Sequence, residues 1–303
     1  MSRKRKLPTS NGMDQTTFYW TIAATVFGGI QLFFQKVVAQ EKRDSAFNGL
    51  MMYGVSGVAV FIFLFAYYGI PDEWRIIGIF ALAGGALHGL GNYIRIEALK
   101  YIDSVLYFPL NKVLGPLIVV VCGVVLLGDQ LTTQEYVGIG TSFLVPLLLI
   151  SSAEHQRQNN LRQGMIFVVL STLFTSASIL FTKQAVSYEA AVLFVLGIAQ
   201  MAGAASSMAI LLKQRGIQFA NCPALDRRDI YLGLIAAVLG IFSTYTLITA
   251  LSTGLVSLVY VIHAHYILIP IVLSVWWYKD HINLRKILAI AVSFLAIGLL
   301  YSA

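Results

Sequence analysis

Stretches of about 20 consecutive apolar residues recur along almost the whole chain, and their length limits the folds that it can adopt. A helix needs about 20 apolar residues to cross about 30 Å of hydrocarbon. Of the 303 residues, 58% are hydrophobic and only 12% are charged, whereas roughly 25% are charged in a typical soluble domain. The chain is therefore predicted to be an all-α integral membrane protein.

Breaks between the apolar runs divide the chain into ten predicted spans. A cytoplasmic tail, 1–16, precedes the first span, and a polar linker, 152–163, separates a first set of five at 17–151 from a second at 164–303. The spans in order are Thr17–Ala39, Ala46–Gly69, Arg75–Leu99, Asp103–Leu127, Leu131–Ser151, Gly164–Val186, Glu189–Leu212, Ile230–Leu251, Leu255–Tyr278 and Ile282–Tyr301.

The second set of spans repeats residues of the first at a nearly constant distance. Lys36 returns as Lys183 after 147 positions, and Asp129 returns as Asp280 after 151 positions. A unit of five helices ends on the opposite side of the membrane from its start, so its tandem copy must sit upside down. The sequence thus predicts two inverted five-helix repeats around a central cavity. This arrangement is typical of secondary transporters, which bind substrate near the midplane.

Ionisable residues deep in the predicted spans are costly in hydrocarbon and are therefore candidates for function. The third span carries His88, Asn92 and Arg95, whose spacing places them on one helical face. Lys112 in the fourth span and His263 in the ninth occupy equivalent positions in the two repeats. The sequence predicts that these groups face one another across the central cavity.

Further polar and basic side chains are predicted to line the same cavity and to contact the substrate. These candidates are Lys36, Tyr107, Asn111, Thr244, Tyr245 and Tyr260. Residues two apart on a helix point about 200° apart, so His263 and His265 cannot share a role. His265 is predicted to pack or hydrogen-bond between helices. The same spacing argues against a metal site, because helical metal ligands are three or four residues apart.

Acidic side chains are scarce inside the spans, where Glu97 is the only one clearly within a helix. Basic groups without acidic partners favour a substrate that carries a carboxylate or a phosphate, because Lys and Arg form strong charge-assisted hydrogen bonds with such anions. The predicted substrate is a small anionic or zwitterionic metabolite. Histidine side chains titrate near neutral pH, so His88 and His263 make a proton the candidate coupling ion.

Other kinds of function receive no support from the residues within the spans. No paired acids and no cofactor motif occur there, so neither an enzyme nor a cofactor nor a metal is predicted. The net charge of +7 comes from scattered loop residues, as is usual beside membrane spans, and does not indicate nucleic-acid binding. The expected partners are the substrate and membrane lipid, with the protein a monomer or a weak homodimer.

Two alternatives from other functional classes stay open. A lipid scramblase or flippase would need a polar groove open to lipid. A non-transporting membrane sensor would need a soluble output domain, for which the connections between the spans are too short.

Several short motifs occur in a fixed order and are duplicated. They are Phe34-Gln35-Lys36, Glu97-Ala98-Leu99-Lys100-Tyr101 and Leu127-Gly128-Asp129-Gln130-Leu131-Thr132, with a second copy from Ala250-Leu251-Ser252 to Lys279-Asp280. Over nearly all of residues 17–302 the chain resembles the drug/metabolite transporter superfamily, in its EamA-like branch. The resemblance implies ten helices, cytoplasmic termini, alternating access and a cavity lined mainly by the third, fourth, eighth and ninth helices. Lys112 resembles the membrane-embedded Lys of related nucleotide-sugar and phosphate-ester transporters.

The charges of the loops leave the orientation in the membrane open. The basic tail Arg3-Lys4-Arg5-Lys6 favours a cytoplasmic N-terminus. With that orientation, however, six Lys and Arg residues lie on the inner side and twelve on the outer side, contrary to the positive-inside rule. The resemblance favours an inside N-terminus, and the predicted location is the plasma or inner membrane of the cell.

Overall fold

The structure is a computed structural model that describes residues 13–102, 104–149, 160–188, 191–215, 226–278 and 283–303. All regular structure in these ranges is helical, which confirms the all-α prediction. The helices are α1 (Gln15–Gln40), α2 (Ser45–Tyr67), α3 (Trp74–Tyr101), α4 (Ser104–Leu126), α5 (Thr133–Leu149), α6 (Leu161–Tyr188), α7 (Val192–Arg215), α8 (Arg227–Thr253), α9 (Val256–Ala264), α10 (Leu268–Tyr278) and α11 (Leu284–Tyr301). The predicted tail up to residue 12, linker residues 152–159, Asp103 and Asp280 lie outside the described residues.

Most of these helices are suited to a bilayer. Nine stretches within the described ranges are long and apolar enough to cross a membrane, and α5 adds a further 17 described residues. Large apolar side chains, such as Phe294 and Trp276, lie exposed on the outer faces of the helices. An apolar surface of this extent indicates contact with lipid. The protein is therefore a multi-pass membrane protein.

Helices begin where a polar side chain can accept hydrogen bonds from the free N–H groups of the first turn. At α2 the Asp44 carboxylate accepts from the N–H groups of Ala46 and Phe47, each at 2.9 Å. At α5 the N–H of Thr132 donates to the Glu135 carboxylate at 2.6 Å, and the N–H of Glu135 donates to the Thr132 hydroxyl at 3.2 Å. This reciprocal pair is a capping box, and it fixes the start of α5.

The ninth predicted span, Leu255–Tyr278, is not one continuous helix. A 3₁₀ turn at 265–267 separates α9 from α10. The ring Nδ1 of His265 lies 3.0 Å from the carbonyl oxygen of Val261, and the backbone N–H of His265 is directed instead to the carbonyls of His263 and Ile262. A side chain that hydrogen-bonds to the Val261 carbonyl replaces the backbone N–H that would donate to it in an α-helix, and the helix tightens locally into a 3₁₀ turn. Just beyond this turn, Pro270 lacks a backbone donor.

Helices of one predicted repeat pack mainly against helices of the other. The most extensive contacts join α3 with α6, α2 with α7 and α1 with α8. Along the α2–α7 contact Gly49 approaches Ser207 and Gly57 approaches Met201, so these two helices run antiparallel. α4 and α9 also run antiparallel. In the predicted division of the chain, α2 and α7, like α4 and α9, are equivalent helices of the two repeats.

An ion network joins the loop after α1 to the start of α8. Arg43 Nη1 lies 2.8 Å from Asp226 Oδ2 and 2.7 Å from Asp229 Oδ1, and Arg228 pairs with Glu41. Hydrogen bonds from Arg228 and Arg43 lower the pKa of the Glu41 carboxyl. Because this carboxyl has a lower pKa in the folded protein, its ionised form stabilises the fold at any pH above the pKa of the unfolded state. This stabilisation is lost as the pH falls through the pKa of the folded state.

The contact between α3 and α7 depends on a glycine. A Cβ atom at Gly85 would lie 2.2 Å from the carbonyl oxygen of Ala199, and backbone atoms cannot move aside as the end of a flexible side chain can. In contrast, a Cβ at Gly78 on the same helix would meet nothing within 4 Å. Glycine at position 85 therefore permits a close approach between α3 and α7.

Gly85→Ala is expected to lower the free energy of unfolding by about 1–3 kcal/mol, because overpacking forces the two helices apart. The matched variant Gly78→Ala is expected to leave stability unchanged or to raise it by up to about 1 kcal/mol, since Ala favours helix over Gly. Thermal unfolding of both variants in detergent micelles measures the difference. Equal stabilities for the two variants would contradict the packing described.

Candidate functional site

A cavity of about 100 Å³ lies between the two sets of helices. This volume has room for several water molecules. Residues from α1, α3, α6, α7, α8, α9 and the 3₁₀ turn line it, whereas α4, which the resemblance implied as a lining helix, contributes none of them. The lining residues are Gly28, Gln31, Leu32, Gln35, Gly85, His88, Asn92, Arg95, Ser178, Ile179, Thr182, Ala199, Gln200, Ser243, Thr244, Leu247, Ile248, Leu251, His263 and Tyr266.

One wall of the cavity is the predicted polar face of α3. His88, Asn92 and Arg95 all line it, as their spacing of about one helical turn requires. Arg95 Nη1 donates to Gln35 Oε1 on α1 at 3.2 Å. Arg95 Nε is buried and has no hydrogen-bond partner among the described residues. A buried guanidinium donor without a partner among the described residues therefore belongs to this wall.

The opposite wall comes from α8 and the broken ninth crossing. Thr244 lines it from α8, and His263 and Tyr266, with ring centroids 4.9 Å apart, line it from the ninth crossing. A Cβ atom at Gly28 on α1 would lie 3.0 Å from the Ser243 hydroxyl and 3.1 Å from His263 Cε1. Glycine at this position lets α1 come close to both elements.

The charge of the lining residues is entirely basic or neutral. Arg95 is the guanidinium, His88 and His263 are titratable, and no Asp or Glu is among the described residues that line the cavity. In the described part of the chain, no three of His, Cys, Asp and Glu cluster to hold a metal ion. The site can therefore offer hydrogen-bond donors and positive charge to a small molecule.

Lys112 lies beside this cavity but does not line it. Its Nζ is 3.7 Å from the centroid of the Tyr266 ring, and the residue is 4% exposed. The preceding residue, Asn111, donates to the Thr172 hydroxyl of α6 at 2.8 Å. Successive residues on a helix point about 100° apart, so Asn111, which contacts α6, and Lys112, which contacts Tyr266, lie on different faces of α4.

The other predicted candidates also lie outside the lining. Tyr107 shares a hydrogen bond of 2.8 Å with the Ser171 hydroxyl, and Tyr260 is buried with its ring centroid 6.4 Å from that of His263. Tyr245 packs edge-on against Trp20. Lys36 is half-buried at the end of α1. The structure thus brings together His88, Asn92, Arg95, Thr244 and His263, and it places Lys112, Asn111, Tyr107, Tyr260, Tyr245 and Lys36 around them.

Several lining residues were not among the predicted candidates. Gln31 and Gln35 are four residues apart and share one face of α1 with Gly28, a spacing that was visible in the sequence. Tyr266 follows His263 by three residues and therefore lies close to it. Ser178 and Thr182 of α6 show the same spacing. Gln31, Gln35, Ser178, Thr182 and Tyr266 are uncharged at neutral pH, so the search for ionisable residues deep in the spans did not single them out.

The turn between α8 and α9, which carries the second wall, is held from two other helices. Lys183 Nζ at the end of α6 donates to the carbonyls of Leu251 and Gly254 at 2.7 and 2.8 Å. Asp129, just after α4, accepts from the N–H of Ser257 at 2.9 Å. A cation at the end of one helix and an anion at the start of the next both complement the helix dipoles. Lys183 and Asp129 therefore position the lining residues of α8 and α9.

Lys183→Met is expected to lower the free energy of unfolding by about 1.5–3 kcal/mol, because two carbonyls lose their charged donor. Lys213→Met is the matched control, since Lys213 is exposed near the end of α7 and surface substitutions usually change stability by less than about 0.5 kcal/mol. Thermal unfolding in detergent measures both. Similar losses for the two variants would show that Lys183 does not hold the turn.

Comparison with known proteins identifies the family. The model of the EamA-like transporter family matches residues 15–151 and again residues 162–302. No curated protein matches the chain. A crystal structure of a protein has the same fold, with a TM-score of 0.72 and 16% identity over 95% of this chain and 98% of that one. Because the family model matches both halves of the chain, the protein belongs to the EamA-like transporter family of the drug/metabolite transporter superfamily, and the predicted resemblance is confirmed.

Proposed function

We propose that the protein is a secondary-active carrier of a small anionic or zwitterionic metabolite, such as an amino acid or a carboxylated or phosphorylated compound. The Arg95 guanidinium carries this proposal. It lines the cavity, it meets the neutral Gln35 rather than a carboxylate, and its Nε has no partner among the described residues. A carboxylate or phosphate in the cavity would supply the missing acceptor.

The energetics of a membrane interior support this assignment. An ionised group in hydrocarbon is costly, and such groups usually mark a substrate or ion pathway. A hydrogen bond to a charged group contributes about 1.5–3 kcal/mol, which corresponds to roughly ten- to hundredfold in affinity. No acidic residue among the described lining residues competes for Arg95. An anion therefore gains most from binding beside it.

The packing of the helices supports transport by alternating access. Equivalent helices of the two halves, α2 with α7 and α4 with α9, run antiparallel, as they would in an inverted repeat. The cavity lies between the halves, where rocking of one against the other would expose it to each side in turn. Lys112, Tyr107, Asn111, Tyr260, Tyr245 and Lys36 form a second layer in this proposal, which would meet the substrate only when the helices move.

The cellular setting belongs to the same proposal. The protein would lie in the plasma or inner membrane with cytoplasmic termini and would export or exchange its substrate, acting as a carrier and not as an enzyme. Family membership and the basic tail support this orientation. Membrane lipid and the substrate would be its partners, with the protein a monomer or a weak homodimer.

A thermal-shift screen of purified protein tests the charge of the substrate. Amino acids, mono- and dicarboxylates, three-carbon phosphate esters and tetraphenylphosphonium would be the probes. At least one anion or zwitterion is expected to raise the melting temperature, because a ligand that binds only the folded state stabilises it. In Arg95→Gln the concentration for half the shift is expected to rise about ten- to hundredfold.

Two further variants sharpen the test. Arg95→Lys keeps the charge but loses the fork of donors, so its affinity is expected to fall between those of the wild type and Arg95→Gln. Arg75→Gln is the matched control, because Arg75 is exposed beside Trp74, and it should bind as the wild type does. Stabilisation by tetraphenylphosphonium alone, or equal binding by Arg95→Gln, would contradict the proposal.

A further inference from the structure

The described residues that line the cavity offer no negative charge to a substrate. Arg95 is a fixed cation, and neither protonation state of His88 or His263 is an anion. The one acid of α3, Glu97, follows Arg95 by two residues and therefore points to another side of the helix. Glu97 is paired with Lys100 at 2.7 Å. A positively charged group in the cavity would thus meet no carboxylate of these residues.

An aromatic ring can replace a carboxylate as the partner of an ammonium group. Tyr266 is the only Phe, Tyr or Trp among the described residues that line the cavity. Its ring already has two polar neighbours. Lys112 Nζ lies 3.7 Å from the ring centroid, and the His263 ring packs against it with centroids 4.9 Å apart. Tyr266 therefore offers an ammonium group less than a free aromatic face would.

The surroundings of the cavity thus distinguish an ammonium group from a hydroxyl group. An ammonium group that loses its water without gaining a counter-ion is costly to bury, and Arg95 would repel it. A hydroxyl group carries no charge and costs much less to bury once it is hydrogen-bonded. The cavity therefore favours a hydroxy acid over the amino acid of the same shape.

Partners for a hydroxyl group lie on the wall formed by α8 and the ninth crossing. His263 lines this wall, and its buried Nδ1 has no hydrogen-bond partner among the described residues. Ser243 and Thr244 line the same wall, and the Ser243 hydroxyl and the His263 ring both approach Gly28. A hydroxyl group can donate and accept, so it can satisfy Nδ1 in either neutral tautomer of the ring.

The size of the cavity limits the length of the molecule. The volume is about 100 Å³, and one water molecule needs roughly 10–15 Å³ of such space. The cavity therefore accommodates about seven to ten non-hydrogen atoms. Lactate and glycerate, which are hydroxy acids of three carbons, fall within this limit.

We propose that the substrate is a small hydroxy acid and that the cavity discriminates against the corresponding amino acid. Arg95 binds the carboxylate, and His263 hydrogen-bonds a hydroxyl group of the same molecule, with Ser243 and Thr244 beside it. His263 then serves as a hydrogen-bonding residue, which leaves His88 as the candidate carrier of a coupling proton. This assignment rests on the proposed function, which left carboxylates, phosphates and zwitterions as alternatives.

Three molecules that differ at one position test the discrimination. Lactate, alanine and propionate share a carboxylate and a chain of three carbons, and their second carbon carries a hydroxyl, an ammonium or only hydrogen. Thermal-shift titrations of purified wild-type protein at neutral pH compare them, with both enantiomers of the first two. Lactate is expected to reach half of its shift at a concentration about tenfold or more below that of alanine. Equal or tighter binding of alanine would overturn the proposal.

The comparison of lactate with propionate tests the hydroxyl partners. In the wild type lactate is expected to bind about two- to tenfold more tightly than propionate, the effect of one hydrogen bond. His263→Phe keeps a ring but loses its nitrogens, and Thr244→Val keeps the shape but loses the hydroxyl. The preference for lactate is expected to disappear in His263→Phe and to fall in Thr244→Val, with propionate bound as in the wild type. A preference that is unchanged in both variants would overturn the assignment of the hydroxyl to this wall.

Thr141→Val is the matched control for the loss of a hydroxyl. The Thr141 hydroxyl donates to the Val137 carbonyl within α5 at 2.8 Å, and Thr141 does not line the cavity. This variant is expected to keep the preference of the wild type for lactate over both alanine and propionate. An equal loss of preference in Thr141→Val and Thr244→Val would contradict the proposed site.

The outcomes separate this inference from the proposed function. If alanine and lactate bind equally and both weaken in Arg95→Gln, the carboxylate site stands and the hydroxy-acid assignment falls. Stabilisation by phosphate esters but by neither lactate nor glycerate would also overturn the assignment. If no carboxylate and no phosphate raises the melting temperature, both the assignment and the proposed function fall.

Discussion

The cost of an unpaired polar group in hydrocarbon governs the whole structure. Backbone groups avoid this cost by hydrogen-bonding to one another within helices. Buried hydroxyls avoid it by donating to a carbonyl one turn earlier, as Thr21 and Thr25 do. At helix ends, Lys183 and Asp129 form hydrogen bonds with backbone groups. Against this background, six buried side-chain atoms of the described residues have no hydrogen-bond partner, and two of them, on Arg95 and His263, belong to residues that line the cavity.

The sequence was sufficient for the helices and for one wall of the site. Apolar runs are read directly as spans, because the bilayer sets their length, and the helix periodicity put His88, Asn92 and Arg95 on one face. Lys112 and His263 both contact the Tyr266 ring, although only His263 lines the cavity. These features depend on distances along a single helix, which sequence spacing expresses.

Features that depend on contacts between helices could not be predicted from the sequence. The rotation of α4 follows from the hydrogen bonds of Tyr107 and Asn111 to α6, which are partners more than 60 residues away. The break in the ninth crossing follows from a ring nitrogen of His265, whereas α4 stays helical through Pro109 and Pro116. Proline therefore did not distinguish the two crossings, and the side-chain hydrogen bond did.

The break in the ninth crossing has a consequence for the resting state of the carrier. If two inverted halves were identical, a two-fold rotation about an axis in the membrane plane would convert the state open to one side into the state open to the other, and the two would have equal free energy. Here α4 is continuous while its equivalent is divided at His265. That asymmetry removes the degeneracy, so in the proposed cycle the empty carrier favours one side before any gradient acts on it.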